Sequence, residues 1–162
     1  SFKGAGADSD GDIGEAHATE THLVPLAIQA ALEPSCPLSV FGSDYPTADG
    51  TCERDYVHVE DLAEAHLAAL SFLETTAGSR AFNLGTGQPV SVRQVLRAVE
   101  HVLGARVPVI EAPRRAGDAP RLFAAPGRAE RDLGWMATRS DIGSIVESAA
   151  RWHRSNVFSE AV

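Results

Sequence analysis

Residues 82–96 read FNLGTGQPVSVRQVL, in which a short apolar run is followed by a Gly-x-Gly turn and then by apolar residues at helical spacing. Ser91 and Gln94 have the spacing of a capping box, in which each side chain accepts a hydrogen bond from the other's backbone amide. Apolar residues then recur at helical spacing up to Gly104, where the helix is predicted to end. The dinucleotide fingerprint requires a third glycine, but that position is Val90. The stretch therefore predicts a strand followed by a helix and identifies no cofactor site.

Strands and amphipathic helices alternate along the rest of the chain, which indicates an α/β fold. The predicted strands are 38–41, 54–59, 80–85 and 108–111. The predicted helices are 21–32, 61–73 with Asp61 and Glu64 as a capping box, 91–103, 128–133 and a last helix capped by Asp141. A doubly wound sheet normally buries both faces of its strands. Since the predicted strands are few and short, we expect further strands outside this sequence to complete the sheet.

Composition limits the classes of function. The 162 residues carry a net charge of −8, the sequence pI is about 5.1, and 44% of the residues are hydrophobic. These values predict one packed domain and disfavour a nucleic-acid partner. No apolar run has the length of a membrane span, so we expect a soluble, cytoplasmic protein without a membrane partner. Cys36 and Cys52 lie far apart and are predicted to be free thiols.

The sequence fits neither of two common metal-binding patterns. The acidic stretch 8–15, DSDGDIGE, has the look of a calcium loop, but Ile13 and Thr19 stand where that loop needs glycine and glutamate. Histidine pairs that bind metal on one helix face are four residues apart, whereas His17 and His22 are five apart. The spacing therefore predicts single histidines and no metal site.

Catalytic signatures are also missing from this sequence. It contains no G-x-S-x-G nucleophile motif. A short-chain dehydrogenase needs a tyrosine four residues before a lysine, but Tyr45 and Tyr56 precede Asp49 and Glu60 at that spacing. Lys3 is the only lysine. We therefore predict no catalytic residue within this chain.

Arginine dominates the basic residues, and some arginines occupy positions suited to a ligand. Arg54 begins a predicted strand, while Arg114 and Arg115 share a loop with Asp118. Loops at strand ends commonly bind ligands in α/β proteins. Two separated guanidinium groups there can hold a diphosphate, although loop arginines are more often solvated. Both interpretations stay open on spacing alone.

Three longer stretches carry a resemblance. FGSDYPTADGTCERDYVHVEDLAEAHLAAL at 41–70, FNLGTG at 82–87 and APRRAGDAP at 112–120 resemble the carboxyl-terminal half of UDP-glucose 4-epimerase, an extended short-chain dehydrogenase. The resemblance implies a Rossmann-type α/β enzyme, of which residues 1–162 form mainly the small mixed α/β substrate domain. Remnants of the NAD-binding domain are expected at about 1–10 and 54–87, and the rest of that domain is absent from this sequence.

In that family, NAD on an amino-terminal domain takes hydride from C4 of a UDP-hexose, and the tyrosine of Y-x-x-x-K takes the proton. The resemblance implies that two arginines hold the UDP diphosphate, an aspartate holds the ribose, two residues begin the substrate-binding helix, and three line the uracil pocket. These residues are Arg54 and Arg115; Asp118; and His22, Leu23, Ser39, Phe41 and Val92. Phe2 is implied as a cofactor contact, and Lys3 stands where the family has asparagine.

We expect UDP-glucose and UDP-galactose as ligands and no epimerisation by this chain alone, since it lacks Y-x-x-x-K. Several alternatives remain open. One is a non-catalytic UDP-sugar-binding module, and another is one half of a split enzyme that joins a separate amino-terminal half. A third is a related sugar-nucleotide epimerase or dehydratase. The family is often homodimeric.

Overall fold

The computed structural model describes residues 2–155, without the side chain of residue 2. It is a mixed α/β structure of six strands and five helices within that range. The strands are β1 (Phe2–Ala5), β2 (Leu38–Phe41), β3 (Glu53–His58), β4 (Val90–Ser91), β5 (Val109–Ala112) and β6 (Arg121–Leu122). The helices are α1 (Leu23–Leu32), α2 (Val59–Thr75), α3 (Val92–Leu103), α4 (Gly127–Leu133) and α5 (Ile142–His153).

Strand β3 is the centre of the larger sheet. It pairs in parallel with β1, which places Phe2 opposite Asp55 and Ala5 opposite His58. The beginning of β3 pairs antiparallel with β4 and parallel with β6. Strands β2 and β5 form a separate parallel pair. Segments far apart in sequence therefore meet along β3.

The main hydrophobic core lies between α1, α3 and α5. Ile28 from α1, Val95 and Val99 from α3, and Ile145 and Val146 from α5 are completely buried in it. These positions follow the helical spacing in the sequence, so the apolar faces meet as that pattern predicts. None of the helices between residues 2 and 155 combines the length and hydropathy needed to cross a bilayer.

Locally encoded helix ends are confirmed. Ser91 and Gln94 form both hydrogen bonds of the capping box that opens α3, and Gly104 ends the helix in the left-handed conformation with φ of 64°. Asp141 caps α5 by accepting from the amide of Ser144. Such contacts span three or four residues, which is why the sequence alone predicts them.

Two predictions about local structure were wrong. Residues 80–85 do not form a strand; Phe82 and Leu84 instead pack beside Val57 in a second hydrophobic cluster. Asp61 does not open a helix. His58 is the N-cap of α2 and accepts from the amide of Glu60, so the helix begins at Val59.

Asp61 binds a distant loop instead. Its completely buried carboxylate accepts hydrogen bonds from the amides of Thr138 and Arg139, at 3.2 and 2.9 Å, and from the hydroxyl of Ser140 at 2.5 Å. The Asp61 carbonyl accepts from the indole of Trp135 at 2.8 Å. Burial by itself would raise the pKa of Asp61, but these donors outweigh it and the pKa lies below its ordinary value.

His58 links β3 to α5 within the core. Because its Nδ1 accepts from Glu60, the proton is on Nε2, which donates to Ser148 Oγ at 2.9 Å. Ser148 Oγ in turn donates to the Ile145 carbonyl and accepts from the Ala7 amide. Both ring nitrogens of His58 and the Ser148 hydroxyl therefore have hydrogen-bond partners, so His58 has a structural role.

Asp61→Ala should destabilise the chain by about 3 kcal/mol or more, because it leaves several buried donors without an acceptor. Urea unfolding followed by circular dichroism measures the change. Asp132→Asn is the matched control, since Asp132 only forms a surface ion pair with Arg128 and should change stability by less than about 1 kcal/mol. Equal effects of the two substitutions would contradict the anchoring role of Asp61.

Stability should fall as the pH drops through the ordinary histidine range. Burial lowers the pKa of His58, so the unfolded chain binds a proton that the folded chain does not. Burial lowers the pKa of His153 as well and acts in the same direction. His58→Asn should therefore reduce, but not abolish, the loss of unfolding free energy between about pH 8 and about pH 5.5. An unchanged pH dependence in this variant would contradict the assignment.

Candidate functional site

A cavity of about 240 Å³ lies between α1, β2, β3 and the loop that follows β5. All eight residues that the sequence analysis assigned to substrate binding line it. They are His22 and Leu23 at the start of α1, Ser39 and Phe41 on β2, Arg54 on β3, Val92 at the start of α3, and Arg115 and Asp118 in the loop. The fold thus brings together residues from five separate segments.

Side chains of β3 alternate between the two faces of the sheet. Successive residues of a strand point to opposite faces, and Arg54 and Tyr56 line the cavity. Glu53 and Asp55, which alternate with them, instead bind the neighbouring strand β6 and two loops, respectively. Arg121 donates to Glu53 at 2.5 Å, and Asp55 accepts from residues 86, 87 and 124. One strand therefore supplies both the cavity wall and its supports.

Arg54, Arg115 and Asp118 form a cluster at the cavity. Asp118 lies 3.5 Å from the guanidinium of Arg54 through Oδ1 and accepts from Arg115 Nε at 3.0 Å through Oδ2. Arg54 also donates to the carbonyls of Glu53 and Ala119, both at 2.8 Å. The two arginines share one carboxylate, so the cluster keeps a net positive charge and can bind a phosphate group.

The two arginines differ in exposure and in their hydrogen-bond partners. The side chain of Arg54 is only 12% exposed and is fixed by its carbonyl partners, whereas that of Arg115 is 61% exposed. The Arg115 guanidinium lies 4.8 Å from the centre of the Phe41 ring, a cation–π contact. Phe41 therefore positions Arg115 while offering an aromatic face to the cavity.

The start of α1 carries a second polar group. His22 is the N-cap residue, and its Nδ1 lies 2.6 Å from Glu15 and 2.9 Å from Glu20. The Glu20 carboxylate also accepts from the amides of Thr21 and His22. Burial opposes ionisation of Glu20, but these donors outweigh burial and its pKa is lowered.

The prediction of isolated histidines was wrong for one pair. The rings of His17 and His22 lie 5.4 Å apart, and both contact Glu15. The rule of four-residue spacing applies to a helix face, whereas these residues lie on a turn before α1, where the chain folds back on itself. No helical period in the sequence reports such a contact.

The Gly-x-Gly turn at residues 85–87 is hydrogen-bonded to the Asp55 carboxylate. The amides of Thr86 and Gly87 and the Thr86 hydroxyl donate to the Asp55 carboxylate at 2.9, 3.1 and 2.7 Å. A Cβ on Gly85 would lie 2.5 Å from both Asp55 Oδ2 and the Ala124 side chain. Because the Thr86 and Gly87 amides already donate to Asp55, they are not available to bind a cofactor phosphate. This role of Asp55 was not predicted from the sequence, although an aspartate inside an otherwise apolar strand can indicate such a buried anchor.

Two further predicted positions concern the first strand. Lys3 lines the cavity and is exposed, so its ammonium group remains in contact with solvent. The cofactor contact predicted for Phe2 lies outside the described side chains. Tyr56 also lines the cavity, and burial raises the pKa of its hydroxyl well above the ordinary tyrosine value. Tyr56 therefore stays protonated at neutral pH.

Comparison with known proteins gives consistent matches. Residues 11–85 match the NAD dependent epimerase/dehydratase family. UDP-glucose 4-epimerase of Lacticaseibacillus casei is 45% identical over 155 residues, which are 96% of this chain and 47% of that enzyme. The chain thus spans about half the length of the curated relatives it matches.

Solved structures of the same enzyme are also similar to this chain. UDP-glucose-4-epimerase from Stenotrophomonas maltophila, with bound NAD and formylated UDP-arabinopyranose, is 42% identical with a TM-score of 0.91, over 99% of this chain and 47% of that one. The enzyme from Bifidobacterium longum, in complex with NAD+ and UDP, is 35% identical with a TM-score of 0.89, over 97% and 47%. In sequence and in fold, the chain is therefore similar to the carboxyl-terminal half of UDP-glucose 4-epimerase, an NAD-dependent enzyme.

Proposed function

We propose that this chain binds the UDP group of a UDP-hexose and forms the substrate-binding part of an NAD-dependent UDP-glucose 4-epimerase acting on UDP-glucose and UDP-galactose. The observation that carries the proposal is the convergence in one cavity of all eight residues that the resemblance assigned to substrate. Relatives whose structures contain UDP or a UDP-sugar support the nucleotide class.

Different residues of the cavity would bind different parts of the nucleotide. Arg54 is held by two carbonyls and provides a fixed point for one phosphate of the diphosphate. Arg115 is exposed and can turn toward the other phosphate, leaving the Asp118 carboxylate free to accept from the ribose hydroxyls. Ser39 and Phe41 on β2 provide a hydroxyl and an aromatic face for the uracil ring.

Within residues 2–155, the cavity lining contains no Y-x-x-x-K pair of the kind that removes the proton from the sugar C4 hydroxyl in this family. Burial raises the pKa of the Tyr56 hydroxyl, so that Tyr56 stays protonated. The amides of the Gly-x-Gly turn at residues 85–87 bind the Asp55 carboxylate instead of a cofactor. NAD, when bound in this family, supplies the redox chemistry. We therefore propose that the 162 residues hold the nucleotide and depend on another segment for catalysis.

Arg115→Ala should weaken UDP binding roughly tenfold, because a charge-assisted contact to phosphate is lost from an otherwise intact cavity. Binding of uridine, which has no phosphate, should stay unchanged. Isothermal titration calorimetry of both ligands measures the two effects.

Arg106→Ala is the matched control for that experiment. The Arg106 side chain is 96% exposed and lies 4.0 Å from Glu100, outside the residues that line the cavity. Its removal should leave both affinities unchanged. A UDP affinity that does not respond to Arg115→Ala would contradict the proposed diphosphate site.

The purified 162-residue chain should show no interconversion of UDP-glucose and UDP-galactose with added NAD, since it has no Y-x-x-x-K pair. A coupled assay for UDP-glucose formation tests this, with a full-length relative as positive control. Turnover by the chain alone would refute the proposed dependence. Activity that returns on mixing with a separately expressed dinucleotide domain would support it.

A further inference from the structure

Four potential metal ligands meet in front of α1. They are Glu15, His17, Glu20 and His22, and one ligand atom from each lies within 4.8 Å of all the others. The shortest separations are 2.6 Å between His22 Nδ1 and Glu15, and 2.9 Å for both His17 Nε2 to Glu15 and His22 Nδ1 to Glu20. The four groups therefore form one compact cluster.

These distances suit a small divalent ion. Four bonds of about 2.0 Å in tetrahedral geometry place the ligand atoms roughly 3.3 Å apart. The three shortest separations lie below that value and all of them lie within 4.8 Å, so the four ligand atoms are close enough to share one small ion. Two carboxylates neutralise a divalent charge, and two imidazoles add nitrogen ligands.

Hydrogen bonds fix the backbone at one side of the cluster and the Glu20 side chain at the other. The Trp152 indole donates to the Glu15 carbonyl at 2.8 Å, and a Cβ at the neighbouring Gly14 would lie 2.4 Å from the Trp152 ring. At the other side, the Thr21 and His22 amides fix the Glu20 carboxylate. Outer contacts that orient ligands in advance are a regular feature of metal sites.

We propose that Glu15, His17, Glu20 and His22 bind one divalent transition-metal ion, with Zn²⁺ the best match to two imidazole nitrogens and two carboxylate oxygens. Imidazole ligands disfavour Mg²⁺ and Ca²⁺, which prefer oxygen alone. Four protein ligands fill a tetrahedral shell, so the role is structural. Since Glu15 and His22 also line the cavity, the ion would fix one rim of it.

The test measures Zn²⁺ binding to the metal-free 162-residue chain by competition with a chromogenic chelator. A Cys36→Ser background removes the exposed thiol that could bind zinc by itself. We expect one Zn²⁺ per chain, and an affinity that falls at least about tenfold in His17→Gln. Co²⁺ in place of Zn²⁺ should give the visible absorption of a tetrahedral site, and His17→Gln should remove it.

His101→Gln is the matched control, because His101 is also exposed but lies near the end of α3. It should bind zinc like the parent chain, and far-UV circular dichroism should show the same fold in every variant. No zinc binding, or equal binding by the parent and His17→Gln, would overturn the proposal. The four side chains would then only form ion pairs with one another. The titration contains no nucleotide, so its result is independent of the proposed UDP site.

Discussion

The buried carboxylate of Asp55 is the interaction on which the arrangement of this chain depends. It lies in the central strand and accepts hydrogen bonds from Thr86 and Gly87 on one loop and from Ala124 on another. A charge that is completely removed from solvent is tolerated only when donors surround it. Both loops are consequently fixed in position relative to β3.

That constraint acts on the cavity through the alternation of the strand. With Glu53 bound to Arg121 of β6 and Asp55 bound to two loops, Arg54 and Tyr56 face the cavity. Arg54 is thus placed by a strand inside a sheet, and a side chain on such a rigid element is held more firmly than one on a loop. Asp118 and Arg115 come from a loop, and Asp118 links them to the site through its ion pairs with Arg54 and with Arg115.

The segment 80–85 shows how apolar patterns mislead when tertiary contacts compete. Its alternating apolar residues are typical of a strand, yet Phe82 packs edge-on against Phe72 of α2 at 5.5 Å between ring centres. The turn that follows gives its amides to Asp55 and not to a neighbouring strand. Phe82 and Leu84 therefore pack against the second hydrophobic cluster although their segment forms no strand.

The sequence by itself determined the α/β class, the helix caps at Ser91 and Asp141, and the residues of the cavity through their resemblance to a known family. Caps are predictable because their partners lie three residues away. Only the tertiary structure decided the role of Asp61, whose partners are 77 to 79 residues distant, and the meeting of His17 with His22. Neither contact follows a helical or strand period; each exists because the folded chain brings distant or turning segments to one point.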